Sequence, residues 1–317
     1  MNRAILYGKD KLTGILIFFC FLVISSCNND SKSISGAGDS PTSGTINISV
    51  DESFRPVIEE HIKVYESSFP GTTIIAHYKP EADCFRDLAR DTATHLIIVT
   101  RGLNEKEEQF FKDSLHFVPG WNDVASDAIT IVVNARSKDS LFTIDRLKKQ
   151  LTGELGKRQT IVFDGLNATS TVRYVVDSIL RGQRFDTSVV KAVKNSREVL
   201  DYVASDPDAI GFVGISWIGN PEDTAQVKLL KKVKIAYVRC DTCSDSPYVK
   251  PNQFSILTNR YPLVRGLYYI LRENYSGLGS GFSGFLQYER GQLIFRRAYL
   301  GPKMGFALRE VRMNQKL

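Results

Sequence analysis

The residues best suited to chemistry lie between Thr160 and Arg173. An apolar run, Ile161 to Phe163, is short enough for a buried strand, and Asp164-Gly165 breaks it. After a polar loop, Val172, Val175, Val176, Ile179 and Leu180 recur at helical spacing. Strand, small-residue loop and helix start aim unpaired backbone N–H groups and the positive end of the helix dipole at one point. Thr169, Ser170 and Thr171 add hydroxyl donors there, and Arg173 adds a charge. Such a cluster holds a small oxyanion. The plainer use of Thr169 or Ser170 is to cap the helix. Other chemistries have less support. His61, His77, His95 and His116 show no metal-ligand spacing, and no G-x-S-x-G nucleophile elbow occurs. Cys240 and Cys243 form one C-x-x-C pair, too few for zinc, and Ser-Asp-Ser-Pro follows rather than a helix. A local disulfide or two thiols are the readings left. Cys84 falls in a helical pattern and is expected buried and inert. No catalytic residue, metal or cofactor is expected.

The elements that must position these groups read as strands alternating with helices. Ile46, Ile48 and Val50 alternate, then Ile58, Ile62, Tyr65 and Phe69 follow at helical spacing up to Pro70-Gly71. Strands are expected at 73–78, 95–100, 128–134, 161–163, 189–193 and 209–213, with further strand regions at 227–238 and 263–272. Helices are expected at 81–90, from Asn104 with a capping box to Glu107, at 143–151, at 196–205 and over 281–298. This order argues an α/β fold with mostly parallel sheets. At 317 residues the chain can build two lobes. Hydrophobic content of 43% and charged content of 24% describe an ordinary globule. The formal charge is +6, of which Arg3, Lys9 and Lys11 against Asp10 contribute +2. The remainder is mildly basic, which suits a small anion, and no dense Lys/Arg stripe marks nucleic acid.

Residues 1–26 read as an export signal: a basic start, then an apolar core from Gly14 to Ile24 that is short for a membrane span. Ile24-Ser25-Ser26-Cys27 resembles a bacterial lipobox, which implies cleavage before Cys27 and its lipidation. Residues 27–43 are polar and read as a disordered tether. The protein is therefore expected in a bacterial cell envelope, anchored to a membrane by lipid.

Six segments in order resemble the PstS-like phosphate-binding proteins of bacterial ABC importers. They are the opening strand and helix up to Phe69-Pro70-Gly71; Thr100-Arg101-Gly102-Leu103; Asp127 to Asn134 with Phe142-Thr143 and Leu151-Thr152-Gly153; Asp208 to Gly214, close to AIGYVG; Tyr261 to Tyr268, similar to YPLxRxLY; and Phe282 to Leu286 with Glu289 to Gln292. Together they cover roughly residues 45–303 and are specific for fold more than for ligand. The resemblance implies a two-lobed periplasmic-binding-protein type II fold, with mixed, mostly parallel sheets flanked by helices and a hinge between lobes. Lobe one would be 44–130 plus 265–317, and lobe two 131–264. The family's ligand loops fall on Asp51, Glu52 and Ser53, on Thr100 and Arg101, and on Thr169, Ser170 and Thr171.

Two departures stand out. The Arg that the family carries just before its Ser-Gly-Thr loop is absent, and the first loop holds two carboxylates. Carboxylates beside an anion cost affinity unless they accept a proton, which phosphate can supply and sulfate cannot. Three readings are therefore open: selection of phosphate, drift to another ligand, or acids turned to solvent. The main expectation is a lipid-anchored solute-binding protein that captures phosphate or a similar oxyanion for an ABC importer permease, with Arg101 as the charge partner. The alternative is a surface lipoprotein using the same fold as an adhesion or assembly module.

Overall fold

The computed structural model describes residues 38–165 and 169–305. The signal segment, Cys27, most of the expected tether and Asn167 lie outside the described residues.

Most elements follow from local chemistry. Strand β1 (Ser43–Asp51) buries alternate residues before its fully buried end. Helix α1 (Arg55–Ser68) has Pro56 in its first turn and buries Val57, Ile58, His61 and Tyr65. Strand β2 (Gly71–Lys79), α2 (Glu81–Arg90) and β3 (Thr94–Val99) follow. Helix α3 (Glu105–Leu115) opens on the expected capping box of Asn104 and Glu107. Strand β4 (Gly120–Asn134) is longer than its sequence signal, because Gly120 to Asp123 are largely exposed and carry no apolar run. Next come β5 (Leu141–Phe142), α4 (Ile144–Leu151), β6 (Thr160–Phe163) and α5 (Ser170–Tyr174), which widens into a π turn over Val175–Leu180. Strand β7 (Val190–Ala192), α6 (Ser196–Ser205) and β8 (Ala209–Gly214) complete this part. The region 227–238, expected as one strand, is instead α7 (Thr224–Leu229) with β9 (Val233–Ile235) and β10 (Tyr237–Arg239). Asp223 caps α7 by accepting from the Ala225 and Gln226 amides, and it lies outside the segment whose apolar–lysine pattern suggested a strand. Strand β11 (Tyr248–Val249), α8 (Gln253–Leu257), β12 (Val264–Leu271), α9 (Leu278–Gln287), α10 (Glu289–Arg297) and β13 (Gly301–Pro302) end the described chain.

One mixed sheet runs in the order β2-β1-β3-β12-β4-β8-β6-β7, with β13 and β9 also on β4. Pairing is parallel toward both edges and antiparallel around β12 and β4. Strand β4 changes partner along its length: Gly120 to Ala128 pair with β12, and Ile129 to Val133 pair with β8. The sheet thus has two halves sharing one long strand. A continuous apolar cluster, including Ile48, Ile98, Ile131, Phe163 and Phe212, lies along both. Beside it, β10 pairs with β5 and β11, and Cys240 and Cys243 are disulfide-bonded in the β10–β11 hairpin loop. Cys84 is a buried thiol. The last residues of the expected tether are held to the body: Asp39 accepts the Leu278 amide, and Tyr65 donates to the Pro41 carbonyl. Among the described residues, no helix is long and apolar enough to cross a membrane.

Candidate functional site

The carboxyl ends of β1, β3 and β6 converge where the two halves of the sheet meet, the usual location for a ligand in an open α/β sheet. At this point Ser53 and Ser170 are both fully buried, and their hydroxyl oxygens are 3.4 Å apart. Between them sits the guanidinium of Arg265, from the start of β12. Its Nη1 donates to Ser170 Oγ at 2.8 Å, its Nη2 to Ser53 Oγ at 2.9 Å, and its Nε to Asp127 Oδ2 at 2.8 Å. Arg265 points inward because inner and outer positions alternate along a strand, and its neighbour Leu267 is fully buried on the same face. Asp127 and Asp51 hold its charge firmly against the cost of burial.

Carboxylates surround this cation. Asp51 Oδ1 accepts from the Ser53 amide at 2.9 Å and its hydroxyl at 2.8 Å, which forms the tight turn after β1. Asp51 Oδ2 is buried without a hydrogen-bond partner. Burial, and then the charge of Glu81, push the Asp51 carboxyl up to about 6, although Arg265 pulls the other way. Asp164, at the end of β6, is also raised by burial, and its Oδ2 accepts from Thr171 Oγ1 at 3.4 Å. Burial of this kind favours the protonated form of a carboxyl. The set offers donors (two hydroxyls and a guanidinium) beside carboxyls poised to hold or accept a proton.

The expected ligand residues divide into those that meet here and those used otherwise. Asp51, Ser53 and Ser170 meet at Arg265, with Thr171 beside them through Asp164. Thr169 caps α5 by accepting from the Val172 amide at 3.3 Å. Glu52 turns away: it accepts from the Ser196 amide and, at 2.7 Å, from the Ser196 hydroxyl, at the start of α6. Burial raises Glu52 to about 7 against those hydrogen bonds. The amide and hydroxyl of Thr100 both go to Glu81. Arg101 does not reach the cluster. Its guanidinium is paired bidentately with Glu107 at 2.7 and 2.8 Å and lies 3.9 Å over the Phe85 ring. The guanidinium that lies in the cluster is that of Arg265. Its sequence signal is a lone Arg in the largely apolar segment Tyr261 to Tyr268, whose family resemblance speaks to fold.

Asp39, His95 and Glu273 form one further cluster of possible metal ligands. Glu273 already accepts from the Gly279 and Ser280 amides and from His95, and Asp39 accepts from Leu278. These contacts make it the N-terminal cap of α9.

A family model described as PBP superfamily domain matches residues 35–289. No curated protein sequence matches the chain significantly. A structure of a putative phosphate ABC transporter substrate-binding protein with bound phosphate, from Clostridium perfringens, is 18% identical, with a TM-score of 0.66 over 82% of this chain and 100% of that one. An ABC-type phosphate transport receptor from Vibrio cholerae is 16% identical, with a TM-score of 0.58 over 82% of this chain and 100% of that one. A possible phosphate binding protein from Planctomyces limnophilus is 19% identical, with a TM-score of 0.53 over 82% and 93%. At these identities the likeness is one of fold. The chain belongs to the PBP superfamily, and its fold is that of a type II periplasmic binding protein.

Proposed function

We propose that this protein is a lipid-anchored solute-binding protein that captures inorganic phosphate for an ABC importer. The observation that carries the reading is the buried Arg265 guanidinium held between the Ser53 and Ser170 hydroxyls, with Asp51 Oδ2 unpartnered beside them. Ser53, Ser170, Thr171 and Arg265 would supply donors and charge to the anion. Asp51 would accept the proton of monohydrogen phosphate, a bond that sulfate cannot return. Support also comes from the three similar structures, which are named for phosphate. Placement in the cell envelope and lipidation rest on Cys27 and its neighbours. The site's role is binding, with the halves of the sheet closing over the ligand and excluding water.

One observation favours the second reading, a surface module or a different ligand. Glu52 and Glu81 occupy donors that an anion would use. Equilibrium dialysis with radiolabelled phosphate tests the first. A Kd of about 1 µM or below is expected, weakened tenfold or more in Ser170→Ala. Equal retention by both proteins would assign the phosphate to some other place.

A further inference from the structure

Glu81 opens α2 directly after β2, and its residue is only 3% exposed. Its Oε1 accepts from the Thr100 amide at 2.8 Å and from the Thr100 hydroxyl. Its Oε2 accepts from Arg173 Nε at 2.8 Å, and Arg173 Nη2 donates to Thr100 Oγ1 at 2.6 Å. A backbone amide, a hydroxyl and a guanidinium thus converge on one carboxylate. That is the donor set used to hold a small oxyanion. Thr100 lies at the end of β3 in one half of the sheet, and Arg173 lies in α5 beside β6 in the other. The carboxylate is therefore also a bridge between the halves. It is close enough to the Arg265 cluster for its charge to act on both Asp51 and Arg265.

We propose that Glu81 is a built-in anion of the cleft: its carboxylate holds the Thr100 and Arg173 donors, and an arriving oxyanion must compete with it for them. The inference rests on the oxyanion reading above and adds the residue that sets its affinity. Two like charges at one donor set oppose each other. The capture threshold is accordingly higher than Ser53, Ser170, Thr171 and Arg265 would set by themselves. Removing the charge at residue 81 should lower it.

Glu81→Gln keeps an amide oxygen for Thr100 and loses the second acceptor for Arg173. Calorimetric titration with inorganic phosphate is expected to show binding about tenfold tighter than wild type, or more. Glu81→Ser, which vacates the donors altogether, carries the same expectation if the glutamine variant does not fold. In the Glu81→Gln background, Arg173→Met is expected to erase most of the gain, as a double-mutant cycle for shared donors requires. Wild-type binding with no gain in either Glu81 variant would overturn this inference and leave the oxyanion site standing. Silence of wild type and both variants toward phosphate would remove the oxyanion site and this inference together.

Discussion

Arg265 concentrates the energetics of the site in one side chain. Its partners Ser170 and Ser53 lie 95 and 212 residues away in sequence, and Asp127 lies 138 away. No spacing rule reaches that far, so a sequence reading finds the residue only as a charge among inward-facing apolar neighbours. Breaking a buried ion pair strands the remaining charge, at a cost of roughly 3–5 kcal/mol. Arg265→Ala is therefore expected to lower unfolding free energy by about that amount in urea titrations, and to abolish phosphate binding in whatever fraction folds. Arg101 makes the opposite case. As the arginine of the Thr100-Arg101 turn it was the natural charge partner, yet Glu107 and Phe85 hold it elsewhere. Arg101→Ala is expected to leave phosphate affinity within about twofold, and to change stability by about 1 kcal/mol at most, as for a partly exposed pair. A tenfold loss of affinity would return Arg101 to the site.

Elements carry two further consequences. Glu52, in the turn after β1, caps α6 in the other half of the sheet through Ser196. A buried carboxyl raised above its unfolded value binds its proton more tightly in the folded state. Its stabilising contribution is complete below the unfolded value near 4.5, and falls away as pH rises toward about 7. His61, which burial lowers to about 4, drives stability the other way over part of that range, and Asp51, raised to about 6, adds to the Glu52 trend, so the whole-protein profile blends all of these. Comparison with Glu52→Gln isolates the carboxyl. Wild type should lose stability relative to the variant between pH 5 and pH 7, by up to about 3 kcal/mol. A constant difference across that range would show that Glu52 is not perturbed as described. The second consequence concerns β8 beneath α6. A Cβ on Gly211 would stand 2.8 Å from methyls of Val132, Val199 and Val203. Gly211→Ala should cost about 1–3 kcal/mol in thermal or urea unfolding, through overpacking of the strand–helix contact. The helices with polar caps, such as α3 and α6, were legible because their signals are local. The region 227–238 was not, because its apolar residues interleaved with Lys228, Lys231, Lys232 and Lys234 fit helix and strand equally until Asp223 is recognised as a cap.

At the scale of the whole molecule, the order of strands and helices was legible because each segment's period is a local property, and six weak motifs in sequence order fixed the fold together. The site was legible only in part. Asp51, Ser53, Ser170 and Thr171 gather as their loops suggest, whereas Glu81, Asp127, Asp164 and Arg265 enter through tertiary geometry alone. Asp127 is neutralised by the buried Arg265, and Asp51 and Asp164 are raised by burial so that they can hold a proton, which lessens the charge that an acidic first loop would set against an anion. Polar bridges between the halves of the sheet include Glu52 to Ser196, Ser53 to Ser216 and Ser170, Arg265 to Ser170, and Glu81 with Thr100 to Arg173. Polar closure of this kind can be undone by an arriving ligand more readily than an apolar seam, since each lost hydrogen bond can be replaced by one to water. Phosphate differs from sulfate and molybdate in the proton it carries near neutral pH and can share with a carboxylate. The most direct measurement is calorimetric titration of the protein, unfolded and refolded to strip bound anions, against phosphate, sulfate and molybdate at pH 6 and pH 8. Capture through Asp51 predicts tight phosphate binding at both values, with sulfate and molybdate rejected at pH 8, where the carboxyl is ionised, and rejected less completely at pH 6, where it is about half protonated. Binding of sulfate as tightly as phosphate would contradict it.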